Sequence, residues 1–244
     1  VQPEGVIIVD GDPASGEVLA MLKALQPALQ MALHYIPSNH GNLSYQRYLG
    51  WKSASNYNPE FMIYFDDDIR LPEKDTLAKL IDVFDNPEIV GATAKTITGS
   101  LSKFNEEPAI AELRVKRRPN RMVDLLGDAR KYDPGGYTPV GNRIMPAETI
   151  QPISEVHWLQ GRVMAYRMDA VTSDCFLEDL FALTHIRCGL GEDSILSRQI
   201  GKNGKLVMVN GLTIEHPDDA MPNSYPIKAY SLANATAYSR RFLN

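Results

Sequence analysis

Cysteine is scarce in this sequence, with only Cys175 and Cys188 among 244 residues, and the two do not form a Cys-x-x-Cys pair. Neither a disulfide framework nor a zinc site built from thiolates is therefore indicated. Chains with few cysteines are typical of reducing compartments, and we expect a cytoplasmic protein.

Long apolar runs, internal repeats and low-complexity tracts are also missing. No segment approaches the roughly 20 apolar residues that span a bilayer. A net charge of -5 argues against nucleic acid as the partner. The basic run Arg114–Arg121 leaves peripheral contact with the cytoplasmic membrane face as an alternative to a solvated surface.

Three adjacent carboxylates are the most unusual feature that is present. Asp66, Asp67 and Asp68 directly follow an apolar run, Phe61–Phe65, that is typical of a buried strand. Two unit charges about 4 Å apart repel by roughly 4 kcal/mol at an effective dielectric constant near 20. We therefore expect a cation or a hydroxyl-rich ligand at this point of the chain.

The first hundred residues alternate between strand and helix patterns. Predicted strands cover residues 5–9, 31–36, 61–65 and 89–93, and predicted helices cover 15–25, 45–56 and 73–84. This alternation predicts an α/β fold with a mostly parallel central sheet flanked by helices. Ligands bind beyond the carboxyl ends of strands in such sheets, and both Asp10–Asp12 and Asp66–Asp68 follow predicted strands.

The rest of the chain is less regular. Residues 99–137 read as long loops, and later patterns predict a strand at 163–166, a helix at 191–200, a strand at 205–210 and a terminal helix at 227–242.

Three motifs occur in a fixed order: Asp66-Asp67-Asp68-Ile69-Arg70-Leu71-Pro72, then Gly191-Glu192-Asp193, then Ile214-Glu215-His216-Pro217. The set resembles the family 2 glycosyltransferases of GT-A fold from about Gly5 to His216. The resemblance implies a Rossmann-like GT-A fold, with a single catalytic domain over residues 1–220 and a helical extension over 221–244. The family's first strand and helix have no counterpart before Gly5.

The resemblance also implies a divalent cation, Mn²⁺ or Mg²⁺, bound with the diphosphate of a nucleotide-sugar donor. Asp68 and His216 match the family's metal ligands. Asp66 matches the residue that contacts the donor ribose or the metal. Asp67 occupies the variable middle position, where it either assists substrate binding or faces solvent.

On the acceptor side, Asp193 resembles the family's general base, which removes a proton from the attacking hydroxyl. Glu192 would support the acceptor beside it. Attack by that hydroxyl in a single displacement implies inversion at the anomeric carbon.

Further positions carry weaker likenesses to the family. Asp10 or Asp12 would hold the uracil or ribose, although the turn reads Asp-Gly-Asp-Pro where the family has Asp-Asp-Gly-Ser. Arg47 matches an arginine near the donor, and Trp158 and Gly161 match the segment that lies against the acceptor sugar.

We therefore expect a glycosyltransferase that moves a sugar, most readily from a UDP-sugar, to a glycan or lipid-linked acceptor. Two alternatives stay open at this point. A haloacid-dehalogenase-type phosphatase also places Asp-x-Asp after a strand, but it expects Thr or Val where this chain has Arg70. A nucleotide-sugar-binding module without turnover would keep the same pocket residues.

Overall fold

The computed structural model describes residues 3–98, 134–137, 143–144, 151–181 and 191–216. Several predicted features lie outside these residues: the basic run 114–121, Cys188 and the terminal helix within the 221–244 extension.

The described residues form seven strands and five α-helices. The strands are β1 (Gly5–Asp10), β2 (Ala32–Pro37), β3 (Phe61–Phe65), β4 (Ile89–Thr98), β5 (Ile153–Val156), β6 (Val163–Arg167) and β7 (Lys205–His216). The helices are α1 (Glu17–Leu25), α2 (Leu43–Ala54), α3 (Thr76–Asp82), α4 (Glu178–Phe181) and α5 (Glu192–Ile200).

The main sheet has the strand order β3-β6-β4-β7-β5, and β1 and β2 form a separate parallel pair. Strand β7 is parallel to β4, but β6 is antiparallel to both β3 and β4, and β5 is antiparallel to β7. The prediction of an α/β fold is confirmed, whereas its mostly parallel pairing is wrong in detail, since three of the four pairings in this sheet are antiparallel. Strands β5 and β6 are joined by residues 157–162 without a helix, unlike the alternation on which the prediction rested.

Strand β6 lies at the centre of the core because both of its faces are buried. One face packs Met164 and Tyr166 with Leu196 and Ile200 of α5. The opposite face packs Val163 and Ala165 in a second apolar cluster that contains Leu80 of α3. The two helices therefore cover opposite faces of the sheet, as a three-layer α/β fold requires.

Strands β3, β4 and β7 share one direction, so their carboxyl ends meet at the same edge of the sheet. There the backbones of Arg70 and Glu215 exchange two hydrogen bonds, of 2.9 and 3.1 Å. These bonds tie the turn after β3 to the last residues of β7. The three aspartates and His216 are thereby brought to one place although most of the chain separates them.

Candidate functional site

Asp68 and His216 form a pair at this edge. Nε2 of His216 lies 3.0 Å from Oδ2 of Asp68, and the Asp68 side chain remains 48% exposed. Two adjacent ligands of an octahedral Mg²⁺ or Mn²⁺ with bonds of about 2.1 Å would lie about 3.0 Å apart. The spacing of the pair therefore fits two neighbouring positions around one cation.

These two side chains would not enclose a cation unaided. Among the residues that the structure describes, no three His, Cys, Asp or Glu side chains are grouped closely enough to hold a metal ion. Mg²⁺ is commonly held by one or two carboxylates together with substrate phosphates and water. The donor set thus fits a cation that is shared with a phosphate-bearing ligand.

Asp66 contacts Arg47. Its Oδ1 lies 3.4 Å from Nη2 of Arg47, and its side chain is 31% exposed. Burial raises the pKa of Asp66, Arg47 lowers it, and the nearby acids, Asp68 first, raise it again, so the net shift is upward. Asp67 is exposed.

Arg47 is the centre of a buried polar network. Its Nη1 donates to Oε1 of Glu192, and its Nη2 donates to the backbone oxygen of Gly161 over 3.3 Å. Helix α2, which carries Arg47, begins after Asn42, whose side chain accepts from the backbone N–H of Tyr45 at 3.0 Å and so caps the helix. Burial lowers the pKa of Arg47, but the surrounding carboxylates, Glu192 foremost, raise it overall.

Glu192 is 6% exposed and opens α5 directly after Gly191, whose φ of 93° is left-handed and favours glycine. Burial raises the pKa of Glu192 to about 7 even though Arg47 lowers it. Its second oxygen, Oε2, is buried without a hydrogen-bond partner in the described part of the chain. Such burial leaves little of Glu192 for direct contact with an acceptor.

Asp193 is held by hydrogen bonds on both carboxylate oxygens. Oδ2 accepts from the backbone N–H of Gly161 at 3.0 Å and from Nη1 of Arg143 at 2.9 Å. Oδ1 accepts from the backbone N–H of Ser194 at 2.8 Å and from the same Arg143 nitrogen at 3.2 Å. Arg143 also lies over the ring of Trp158, with 5.0 Å from Cζ to the ring centroid.

Sequence reasoning missed Arg143. It stands alone in Gly141-Asn142-Arg143-Ile144, without a motif or a helical period to single it out. Only the long-range contact with Asp193 identifies it as a site residue. Trp158, which was predicted at the acceptor side, is 4% exposed and lies under this arginine.

Gly161 occupies a position where even a methyl side chain would be crowded. A Cβ atom there would lie 3.1 Å from Nη2 of Arg47 and 3.1 Å from Cβ of Asp193. Glycine at 161 therefore lets the backbone meet both functional groups at once.

Asp10 and Asp12 lie at the carboxyl end of β1, outside this network. Oδ1 of Asp10 accepts from the backbone N–H of Asp12 at 2.9 Å, and Oδ2 accepts from the hydroxyl of Tyr35 at 2.8 Å. Asp10 is 5% exposed, whereas Asp12 is exposed. Of the two alternatives that the sequence left open, Asp12 is the one accessible to a ligand.

The structure thus brings most of the predicted residues together. One connected network contains Arg47, Asp66, Gly161, Glu192 and Asp193. The Asp68–His216 pair lies at the same edge of the sheet, and Asp68 is two residues after Asp66. Within the described ranges, no helix is long and apolar enough to cross a membrane.

Comparisons with known proteins give no match to any protein-family profile and none to a curated protein sequence. Solved structures do match. A crystal structure of GalNAc-T7 with UDP, GalNAc and Mn²⁺ aligns with 94% of this chain at a TM-score of 0.56 and 13% identity. The mannosyltransferase PcManGT from Pyrobaculum calidifontis, in complex with GDP-Man and Mn²⁺, aligns with 98% of the chain at a TM-score of 0.50 and 14% identity.

The chain spans only part of these proteins, 41% of the first and 56% of the second. Identities this low speak to the fold, and a fold alone does not determine a reaction. The fold predicted from sequence is confirmed: this chain is folded like the glycosyltransferases of GT-A type.

Proposed function

We propose that this protein is a metal-dependent glycosyltransferase that moves a sugar from a nucleotide-sugar donor to a hydroxyl acceptor. The observation that carries the proposal is the spacing of Asp68 and His216, with Nε2 and Oδ2 3.0 Å apart beside the acidic network. The GT-A-like fold supports it, as do two structural neighbours solved with Mn²⁺ and a nucleotide or nucleotide-sugar.

Asp68 and His216 would hold the cation, Mn²⁺ or Mg²⁺, with Asp66 toward the metal or the donor ribose. The cation would neutralise charge on the diphosphate as the glycosidic bond breaks. The exposed Asp12 would contact the ribose or base. We favour a UDP-sugar on the family resemblance, while the two neighbours hold UDP and GDP-Man.

Asp193 would act as the general base toward the acceptor hydroxyl, with inversion at the anomeric carbon. The backbone N–H groups of Gly161 and Ser194 fix the orientation of its carboxylate. Arg47 is 5% exposed and its guanidinium is engaged by Glu192, Asp66 and Gly161. Through these contacts the buried Arg47 and Glu192 would hold Asp66 and Gly161 in position.

Calorimetric titration of the full chain with UDP, GDP and their sugars, with and without Mn²⁺, tests the proposal. We expect one nucleotide to bind in a Mn²⁺-dependent manner, and Asp68→Ala to abolish that dependence. Asp82→Ala, which removes an exposed acid from α3, is the matched control and should bind like the wild type. Failure of every nucleotide to bind the folded wild-type chain would overturn the proposal.

A nucleotide-sugar-binding module without turnover is the second candidate, and one observation favours it. Both oxygens of Asp193 are already occupied by hydrogen-bond donors, so the carboxylate has little capacity left for a substrate proton. Release of free sugar or formation of a glycoside from a bound donor would exclude this candidate. The phosphatase alternative loses its basis because the fold is of GT-A type.

A further inference from the structure

Arg143 engages Asp193 with one nitrogen only. Nη1 lies 3.2 and 2.9 Å from the two oxygens of Asp193 and 3.3 Å from Oγ of Ser194. Within the described ranges, Nε and Nη2 of Arg143 have no hydrogen-bond partner. The side chain is 40% exposed, so part of it is open to a ligand.

The guanidinium is nevertheless held in place. Its Cζ lies 5.0 Å from the centroid of the Trp158 ring, within the range of a cation–π contact. The backbone of Arg143 bridges to Tyr137, and the N–H of Ile144 donates to the oxygen of Gly136 at 2.9 Å. A guanidinium that is held in this way loses little conformational freedom when it binds a ligand.

The contact between Arg143 and Asp193 is not the one expected if Arg143 only oriented the Asp193 carboxylate. An arginine that only orients a carboxylate binds most strongly with two parallel N–H···O bonds from two nitrogens. Here the contact is end-on, and no described residue hydrogen-bonds to the Nε–Nη2 edge, which matches the two oxygens of a carboxylate or phosphate. Because this edge is opposite Nη1, it lies across the guanidinium from Asp193, which the proposed function makes the base for the acceptor.

We propose that Arg143 binds an anionic group, a carboxylate or a phosphate, on the acceptor whose hydroxyl reacts at Asp193. This inference rests on the proposed function, which makes Asp193 the base. The donor's diphosphate is the other source of such an anion, but Asp68 and His216 are placed to share a cation with it. The acceptor class would then be an acidic sugar, such as a uronic acid or a sugar phosphate.

The fluorescence of Trp158 provides a local test, because the chain has only two tryptophans and Trp51→Phe leaves Trp158 as the single reporter. In this background we would titrate methyl glucuronide, glucose 6-phosphate and methyl glucoside into the full chain. We expect at least one anionic sugar to bind about tenfold or more tightly than the glucoside, as charge-assisted hydrogen bonds imply. Arg143→Gln should remove the difference, and Arg143→Lys should keep part of it.

Arg198→Gln, in the last turn of α5, is the control and should leave the preference unchanged. Equal binding of anionic and neutral sugars would refute the proposal. So would a loss of Mn²⁺-dependent nucleotide binding in both Arg143 variants with the sugar preference intact, since the anion would then be the donor's. Nucleotide binding is measured in a separate titration, so failure of the proposed function is recognised independently of the sugar result.

Discussion

The side chains of Arg47 and Glu192 form an ion pair in which both are less than a tenth exposed, although 145 residues separate them. The pair joins helix α2 to the first turn of α5 beneath the acidic cluster. A buried pair of this kind contributes less through its own attraction than through the cost of leaving either charge alone.

Replacing one partner should therefore be costly. We expect Arg47→Met to lower the free energy of unfolding by about 3–5 kcal/mol, because Glu192 and Asp66 lose the positively charged guanidinium that both contact. Arg47→Met combined with Glu192→Leu should recover much of that loss. Urea unfolding of the three variants measures both effects, and a single-variant cost under about 1 kcal/mol would contradict the buried-pair interpretation.

The pKa of Glu192 predicts a pH dependence of stability. Burial raises it from an ordinary value of 4.5 to about 7, so between these pH values the folded chain keeps a proton that the unfolded chain has released. The free energy of unfolding should therefore fall as pH rises across this window, by an amount on the order of 3 kcal/mol, and Glu192 should add no further change above it.

Urea unfolding of the wild type and Glu192→Gln at pH 5, 6, 7 and 8 isolates this contribution, because the other titrating groups are common to both. The stability of the wild type relative to the variant should decrease up to pH 7 and then stay constant. A difference that does not change with pH would show that Glu192 titrates normally.

Gly161→Ala tests the close approach at the site. The new methyl group would lie 3.1 Å from both Nη2 of Arg47 and Cβ of Asp193, so it must push one of them aside. We expect a loss of about 1–3 kcal/mol in stability and a marked loss of transfer activity. Gly211→Ala is the matched control, because a Cβ there meets nothing within 4 Å. Equal behaviour of the two variants would remove the steric argument.

His216→Ala tests the metal pair without changing the acidic turn. If His216 and Asp68 share a cation, the variant should bind Mn²⁺ together with nucleotide about tenfold or more weakly. Nucleotide-dependent Mn²⁺ binding can be followed by electron paramagnetic resonance, and chelation of the metal should make wild type and variant alike. Unchanged Mn²⁺ affinity would exclude His216 as a ligand.

Local patterns identified most elements of this fold. The strand at 61–65 was predicted to the residue, because five apolar residues end abruptly at three acids. The helix predicted at 73–84 is shorter, Thr76–Asp82, and continues as a 3-10 turn at Val83–Asp85. Strand β5 was missed because its four residues, ISEV, carry little apolar pattern and depend on pairing with β7.

The site residues that belong to motifs could be predicted from sequence, but their partners could not. Asp68, Asp193 and His216 are each recognisable from a short motif. The burial of Glu192 against Arg47 and the contact of Arg143 with Asp193 arise only when distant segments pack together. No local pattern encodes such contacts, so the sequence could not pair Glu192 with Arg47 or Arg143 with Asp193.

The two backbone bonds between Arg70 and Glu215 have a consequence for folding. His216 is the last residue of β7, and β7 lies between β4 and β5. His216 therefore reaches Asp68 only when β7 is paired within the folded sheet. A cation bound by both side chains adds stability only to the state in which that strand is inserted. The stability of β7 within the sheet would therefore increase with the concentrations of the metal ion and the nucleotide.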